Sequence, residues 1–199
     1  MGFLLKISEL IDWLNERVGR AVIWLVLVAV LVSAINAIVR KAFDVSSNAF
    51  LEAQWYMFSA IFLLCSGYTL LHNEHIRIDI VSGRFSKRTQ TWIDILGTLL
   101  FMLPVMFVFL WYGTSFFTVS FESKEMSPNA GGLIVWPVKL LLPLGFFLLT
   151  LQGFSELIKR VAFLQGLIPD PSEKHAAPSA EEELIEALRK RQEEEKKND

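Results

Sequence analysis

The sequence predicts an all-α integral membrane protein with four transmembrane helices, both termini cytoplasmic and an amphipathic interfacial helix at the N-terminus. Three observations predict it. Four long apolar stretches are bracketed by charge, Lys and Arg are distributed unevenly between the stretches, and a helix-period stripe precedes the first of them. Ala21 to Val39 is uncharged between Arg20 and Arg40, and Ala53 to Leu71 between Glu52 and His72. Ile95 to Phe121 is uncharged between Asp94 and Glu122, and Leu133 to Ser155 is interrupted only by Lys139. A hydrocarbon core of about 30 Å takes roughly 20 helical residues. Within lipid the backbone must satisfy its own hydrogen bonds, so such stretches are helices. The spans are placed at about 21–39, 51–71, 93–119 and 133–155.

Composition agrees. The chain is 53% hydrophobic over 199 residues, with 16 Phe and 6 Trp and a mean hydropathy of +0.42, which sets it apart from soluble helical bundles. A net charge of -2 gives no footprint for nucleic acid. The single Cys65 lies inside the second stretch, where it reads as a small packing residue. The first stretch is longer than a signal-peptide core of about 7–15 residues and no A-x-A site follows it, so it is read as a retained span.

Orientation comes from the flanks. Lys6, Arg17, Arg20, Arg77, Arg84, Lys87, Arg88, Lys159 and Arg160 fall on one side, and Arg40, Lys41 and Lys124 on the other. Positive residues favour the cytoplasm, so short outer loops are expected near residues 40–50 and 122–132. Lys139 then sits near the outer boundary, its stem snorkelling to the headgroups.

Ahead of the first span, Phe3, Ile7, Leu10, Ile11, Leu14 and Val18 recur at three- and four-residue spacing, with Lys6, Glu9, Asp12, Glu16 and Arg17 on the other face. This predicts an amphipathic helix over 1–20 at the cytoplasmic interface, the alternative being a cytoplasmic extension of the first span. Pro104 in the third stretch removes a helical hydrogen bond and predicts a bend. Pro137 and Pro143 fall in the outer half of the fourth, where Pro137 suits a first helical turn. Residues 21–165 thus form the transmembrane domain. Residues 166–199 form a polar, charged cytoplasmic tail, in which Ser179 and Glu182 fit a capping box before a thin stripe of Leu184, Ile185 and Leu188.

Catalysis needs a constellation that the residues do not supply, so no enzyme is predicted. No histidine lies inside a span to hold haem, and His72 with His75 lacks further metal ligands. Span interiors offer only Asn36, Ser59, Ser66, Thr69, Thr98 and Thr114, without a mid-membrane carboxylate for ion coupling. The broad aromatic faces therefore point to a subunit that packs on something else, with Ser59 and Ser66 as points of close helix approach.

The most specific local feature is Asn73-Glu74-His75-Ile76-Arg77-Ile78-Asp79-Ile80, where polar residues alternate with isoleucines after a span. His75-Ile76-Arg77-Ile78-Asp79 resembles the H-I-R-x-D motif of the small permease subunits of TRAP (tripartite ATP-independent periplasmic) transporters, the DctQ-like family. Arg40 after the first span, Glu52 opening the second, Trp136-Pro137 and Pro143-Leu144-Gly145-Phe146 match in order. The run from Gly131-Gly132-Leu133 through Gln152-Gly153 is similar to the subgroup loosely labelled mannitol/chloroaromatic. The resemblance covers about residues 10–165 and leaves the tail outside.

It implies a scaffold in the bacterial inner membrane. A large permease subunit would bind substrate and sodium and move, a periplasmic substrate-binding protein would deliver an organic acid, and this chain would brace the stationary part amid membrane lipids. No cofactor or metal is expected on this chain. Arg40, Glu52, His75, Arg77, Asp79, Trp136, Pro137 and Pro143 are the expected scaffold positions. Because Arg40 and Glu52 both fall near the outer interface, they are expected to pair, directly or through a partner, the alternative being two solvated flanking charges. The competing classes are a four-helix redox membrane anchor and a small self-sufficient homodimeric exporter.

Overall fold

The computed structural model describes residues 1–44, 47–72 and 85–169. Among these the chain is helical apart from its connections, with one isolated antiparallel bridge between Met126 and Ile134. Four helical rods are long and apolar enough to cross a bilayer, so the chain is a multi-pass membrane protein. The masses of Leu, Val and Phe that would be a solubility hazard in water are here the surface that meets lipid.

The first helix, α1, runs unbroken from Gly2 to Phe43 and stops where Asp44 turns left-handed at φ 54°. Forty-two residues at 1.5 Å each make a rod of about 63 Å, roughly twice the hydrocarbon thickness. The segment expected as a separate interfacial helix over 1–20 is therefore not a separate element. It continues the first span, and the face that meets the rest of the chain mixes small polar residues with Ile11 of the apolar stripe, while Lys6, Glu9 and Arg17 stay exposed. Ser8, Ile11, Asn15, Gly19 and Val22 are buried, whereas Phe3 and Leu10 are exposed.

The second rod is α2 (Asn48–Leu64) followed by α3 (Ser66–Leu71). The break at Cys65 lies among side chains that compete for backbone carbonyls: Ser66 Oγ donates to Leu63 O at 2.7 Å and Thr69 Oγ1 to Cys65 O at 2.9 Å. The third rod begins with α4 (Lys87–Gly97), capped by Ser86, whose hydroxyl accepts from the Thr89 amide. It widens into a π-helical turn over Thr98–Met102 and continues as α5 (Leu103–Glu122). Pro104 supplies the reason. Its ring would clash with the carbonyl four residues back, and a wide turn, with the Leu103 amide bonding to Thr98 O, makes room. The bend expected at Pro104 takes this form.

The last rod, α6 (Trp136–Leu164), opens with Pro137 in its first turn and ends in a Schellman turn. There Gly166, at φ 73°, lets the Leu167 amide reach Ala162 O at 3.0 Å. This helix starts later than the apolar stretch read as 133–155 and runs nine residues past it, because Glu156, Lys159 and Arg160 turn inward rather than marking an end.

The helix α6 is the hub and packs on α5, α1, α3, α2 and α4. Of its most apolar window 44% is buried within the chain, against 6% for α1, so α1 is the rim. Close approach is set by glycines. A Cβ on Gly145 would lie 2.7 Å from the carbonyl oxygen of Leu63, and one on Gly67 would lie 2.1 Å from Asn15 Oδ1. Gly19 faces the Tyr68 ring as closely. Small residues let membrane helices meet backbone to backbone. Ser66, expected in that role, instead donates from its hydroxyl to Leu63 O within the same rod. Phe109 stacks on Phe146 at 4.7 Å, and Trp136 meets the edge of Phe121 at 5.3 Å.

Candidate functional site

Polar side chains gather at two ends of the bundle. At the first, α2 presents Asn48, Glu52 and Tyr56 at successive four-residue steps, hence on one face. All three reach the connection between α5 and α6. Asn48 Nδ2 donates to Ala130 O at 3.0 Å and the Tyr56 hydroxyl to Ile134 O at 3.0 Å. Between them the buried Glu52 carboxylate accepts from the Leu133 amide at 2.6 Å, from Asn129 Nδ2 at 2.9 Å and from the Ser127 hydroxyl. The loop is further closed on itself by Ser127 N to Leu133 O and Val135 N to Glu125 O, each 3.0 Å. Gly132 is forced by the crowding, since a Cβ there would meet the Ser127 side chain at 2.5 Å.

Glu52 is thus an anchor for residues 127–133 and not the partner of Arg40. Its acceptor positions are filled from the loop, and Arg40 lies exposed at the end of α1 with no ion pair among the described residues. Replacing Glu52 with Ala is expected to free the loop while the helices stay formed. Hydrogen exchange at the Leu133 amide should accelerate strongly, with Glu52→Gln intermediate. Unchanged exchange in Glu52→Ala would remove the anchor role.

Beside this clasp, Lys139 Nζ donates to Glu125 at 2.5 Å and sits 4.0 Å above the Phe116 ring. Lys139 is therefore held by a carboxylate and an aromatic ring. The Lys139 ammonium holds the Glu125 carboxyl below its ordinary value of 4.5. A carboxyl whose folded value is lowered stabilises fully above the ordinary value and loses that effect as pH falls through the lowered one. The midpoint difference between the native chain and Glu125→Gln should be constant from about pH 8 to 6 and vanish in more acid solution. A difference that grows on acidification would contradict the pairing. Trp136 and Pro137 sit at the start of α6, with Trp136 on Phe117 and Phe121, and Pro143 is buried opposite Gly113.

At the other end, a buried polar spine joins α1 to α6. Asn15 is 0% exposed and donates from Nδ2 to Gln152 Oε1 at 2.9 Å. Gln152 donates in turn to Asp12 Oδ1 at 2.9 Å. The Ser155 hydroxyl donates to the same Asp12 oxygen at 2.6 Å and lies 2.7 Å from the Ser8 hydroxyl. Lys159 closes the spine, 3.2 Å from Asp12 and 2.5 Å from Glu156. One step further, Arg160 reaches from α6 to Asp94 on α4. On the adjoining face Glu16 bridges Arg20 at 2.6 Å and His72 Nε2 at 3.3 Å.

None of this spine was singled out in the sequence. Asp12 reads there as part of a solvated face, and Lys159 and Arg160 as flanking charges. The available signal is spacing. Residues 8, 12 and 15 and residues 152, 155, 156 and 159 each fall on one helical face, and two polar stripes within largely apolar helices imply that they face each other. His75, Arg77 and Asp79 lie outside the described residues.

The arrangement binds helices to one another. Among the described residues no group of three or more His, Cys, Asp or Glu is placed to hold a metal ion. A family model, Tripartite ATP-independent periplasmic transporters, DctQ component, matches residues 29–163. That is most of the four-rod domain, from within α1 nearly to the end of α6. The chain therefore belongs to the DctQ family and is a small component of a TRAP transporter, a transporter part and not a member of an enzyme family. No curated protein and no solved structure gives a match.

Proposed function

We propose that this chain is the small membrane subunit that braces the large permease subunit of a TRAP-type secondary transporter in a bacterial inner membrane. In that assembly the large subunit imports an organic acid on a sodium gradient, and a periplasmic binding protein delivers it. The observation that carries the reading is where the polar groups go. Asp12, Asn15, Gln152, Ser155 and Lys159 bond one helix to the next, as do Glu52 and its loop, so the polar interior serves rigidity. Outside that interior the rods present Trp24, Trp55, Phe58, Phe62, Phe101 and Trp111, each at least two-thirds exposed. A rigid body with an aromatic perimeter suits a stationary brace that lies between lipid and a larger protein. The motif His75, Arg77 and Asp79 belongs in this reading to the cytoplasmic edge, where Arg77 holds a phosphate or carboxylate through its planar fork.

Co-expression with a large permease subunit followed by detergent purification tests it. Both chains should elute in one peak at fixed stoichiometry, and Arg77→Ala with Asp79→Ala should lower that yield without altering solute binding to the periplasmic protein. Purification of this chain only as a transport-competent homo-oligomer would refute the assignment.

A further inference from the structure

A basic, polar pocket at the end of α1 adjoins an apolar groove between α1 and α2. Arg40, Lys41, Asp44 and Asn36 line the pocket, Val26, Val30, Trp55 and Phe58 line the groove, and Ser33 and Gln54 line both. The order along α1 is therefore apolar, then neutral and hydrogen-bonding, then cationic.

Three facts single this groove out. First, its polar groups are idle. Arg40, Lys41, Asn36, Ser33 and Gln54 make no hydrogen bond or ion pair with their side chains among the described residues, whereas the polar stripe near the start of α1 is bonded from Ser8 to Asn15. Polar groups at membrane depth need partners, and idle ones clustered on one groove call for an occupant that supplies them. Second, the length fits. Fifteen residues from Val26 to Lys41 rise about 22 Å, close to one leaflet with its headgroups, about 20–22 Å. Third, the charge fits. Two cations beside one carboxylate suit a phosphate with an ammonium near it.

We infer that the α1–α2 groove holds one glycerophospholipid. Its phosphate lies between Arg40 and Lys41, its ester region against Asn36, Ser33 and Gln54, and an acyl chain lies along Val26, Val30, Trp55 and Phe58. Asp44 at the mouth favours a zwitterionic headgroup, whose ammonium it accepts. A protein helix in the same groove would not need two cations followed by a ladder of hydrogen-bonding groups at ester depth. The inference concerns this chain alone and does not depend on which larger subunit it meets.

Native mass spectrometry of the full chain, released from a mild detergent with any membrane subunit that accompanies it, tests this. One phospholipid mass per chain should persist in the native protein. The double substitution Arg40→Ala with Lys41→Ala should weaken retention about thirty-fold, at about 1 kcal/mol for each basic residue. Ala34→Trp, which fills the groove from an exposed position, should abolish retention with the helix content unchanged. A photoreactive group at Phe58 should cross-link to lipid in native membranes. Absence of a lipid adduct, equal retention in all three proteins, or cross-linking to protein alone would overturn the proposal.

Discussion

Gly145→Ala is expected to destabilise the bundle by about 1–3 kcal/mol, although in an isolated helix the same change stabilises by about 1 kcal/mol. The new methyl would sit 2.7 Å from the Leu63 carbonyl oxygen and 2.8 Å from its Cβ. Those atoms belong to the backbone and stem of the facing helix and cannot rotate away. The helices α2 and α6 must separate, which opens the packing around Pro143 and Leu148 in the core of the hub. Thermal unfolding in detergent should show a lower midpoint. Gly97→Ala, where nothing lies within 4 Å, should show none of this loss. A midpoint that rises in Gly145→Ala would mean that the two helices are not in backbone contact.

Gln152→Leu is expected to have the second largest effect, about 1–2 kcal/mol. Leucine fills nearly the same volume, so the loss is of hydrogen bonds and not of packing. The Asn15 amide loses its 2.9 Å acceptor, and Asp12 loses one of its donors while keeping Ser155 and Lys159. The start of α1 should then move relative to α6. A spin-label distance between Phe3 and Phe163 should broaden in Gln152→Leu, whereas Leu149→Ala, on the same helix, should leave it narrow. An unchanged distribution together with an unchanged midpoint would show that the spine does not fix α1.

The four spans are legible in the sequence because bilayer thickness imposes a length on them, and charge at the ends of each stretch gives its approximate limits. The ends are less legible. Glu156, Lys159 and Arg160 resemble the flank of a span until one knows that Asp12 and Asp94 lie opposite, on helices more than 60 residues away in sequence. Glu52 stands out as a carboxylate at the edge of an apolar run, yet its ligands Ser127, Asn129 and Leu133 are 75 to 81 residues distant, and no local pattern links them. Arg40 and Glu52 flank the same short connection, which suggests a pair, yet the Glu52 carboxylate is bonded to residues 127–133 and does not meet Arg40 directly. The family is legible from His75, Arg77 and Asp79 taken together with the four spans and Pro143-Leu144-Gly145-Phe146, all of them features of order along the chain that need no geometry.

The account rests on this chain being a brace that a larger permease subunit needs. The most direct measurement is sodium-driven solute uptake into proteoliposomes containing the large subunit, with its periplasmic binding protein supplied outside, with and without this chain. The account predicts uptake only when both membrane subunits are present, and none from this chain with the binding protein alone. Full uptake by the large subunit without this chain, at equal protein stability, would contradict it.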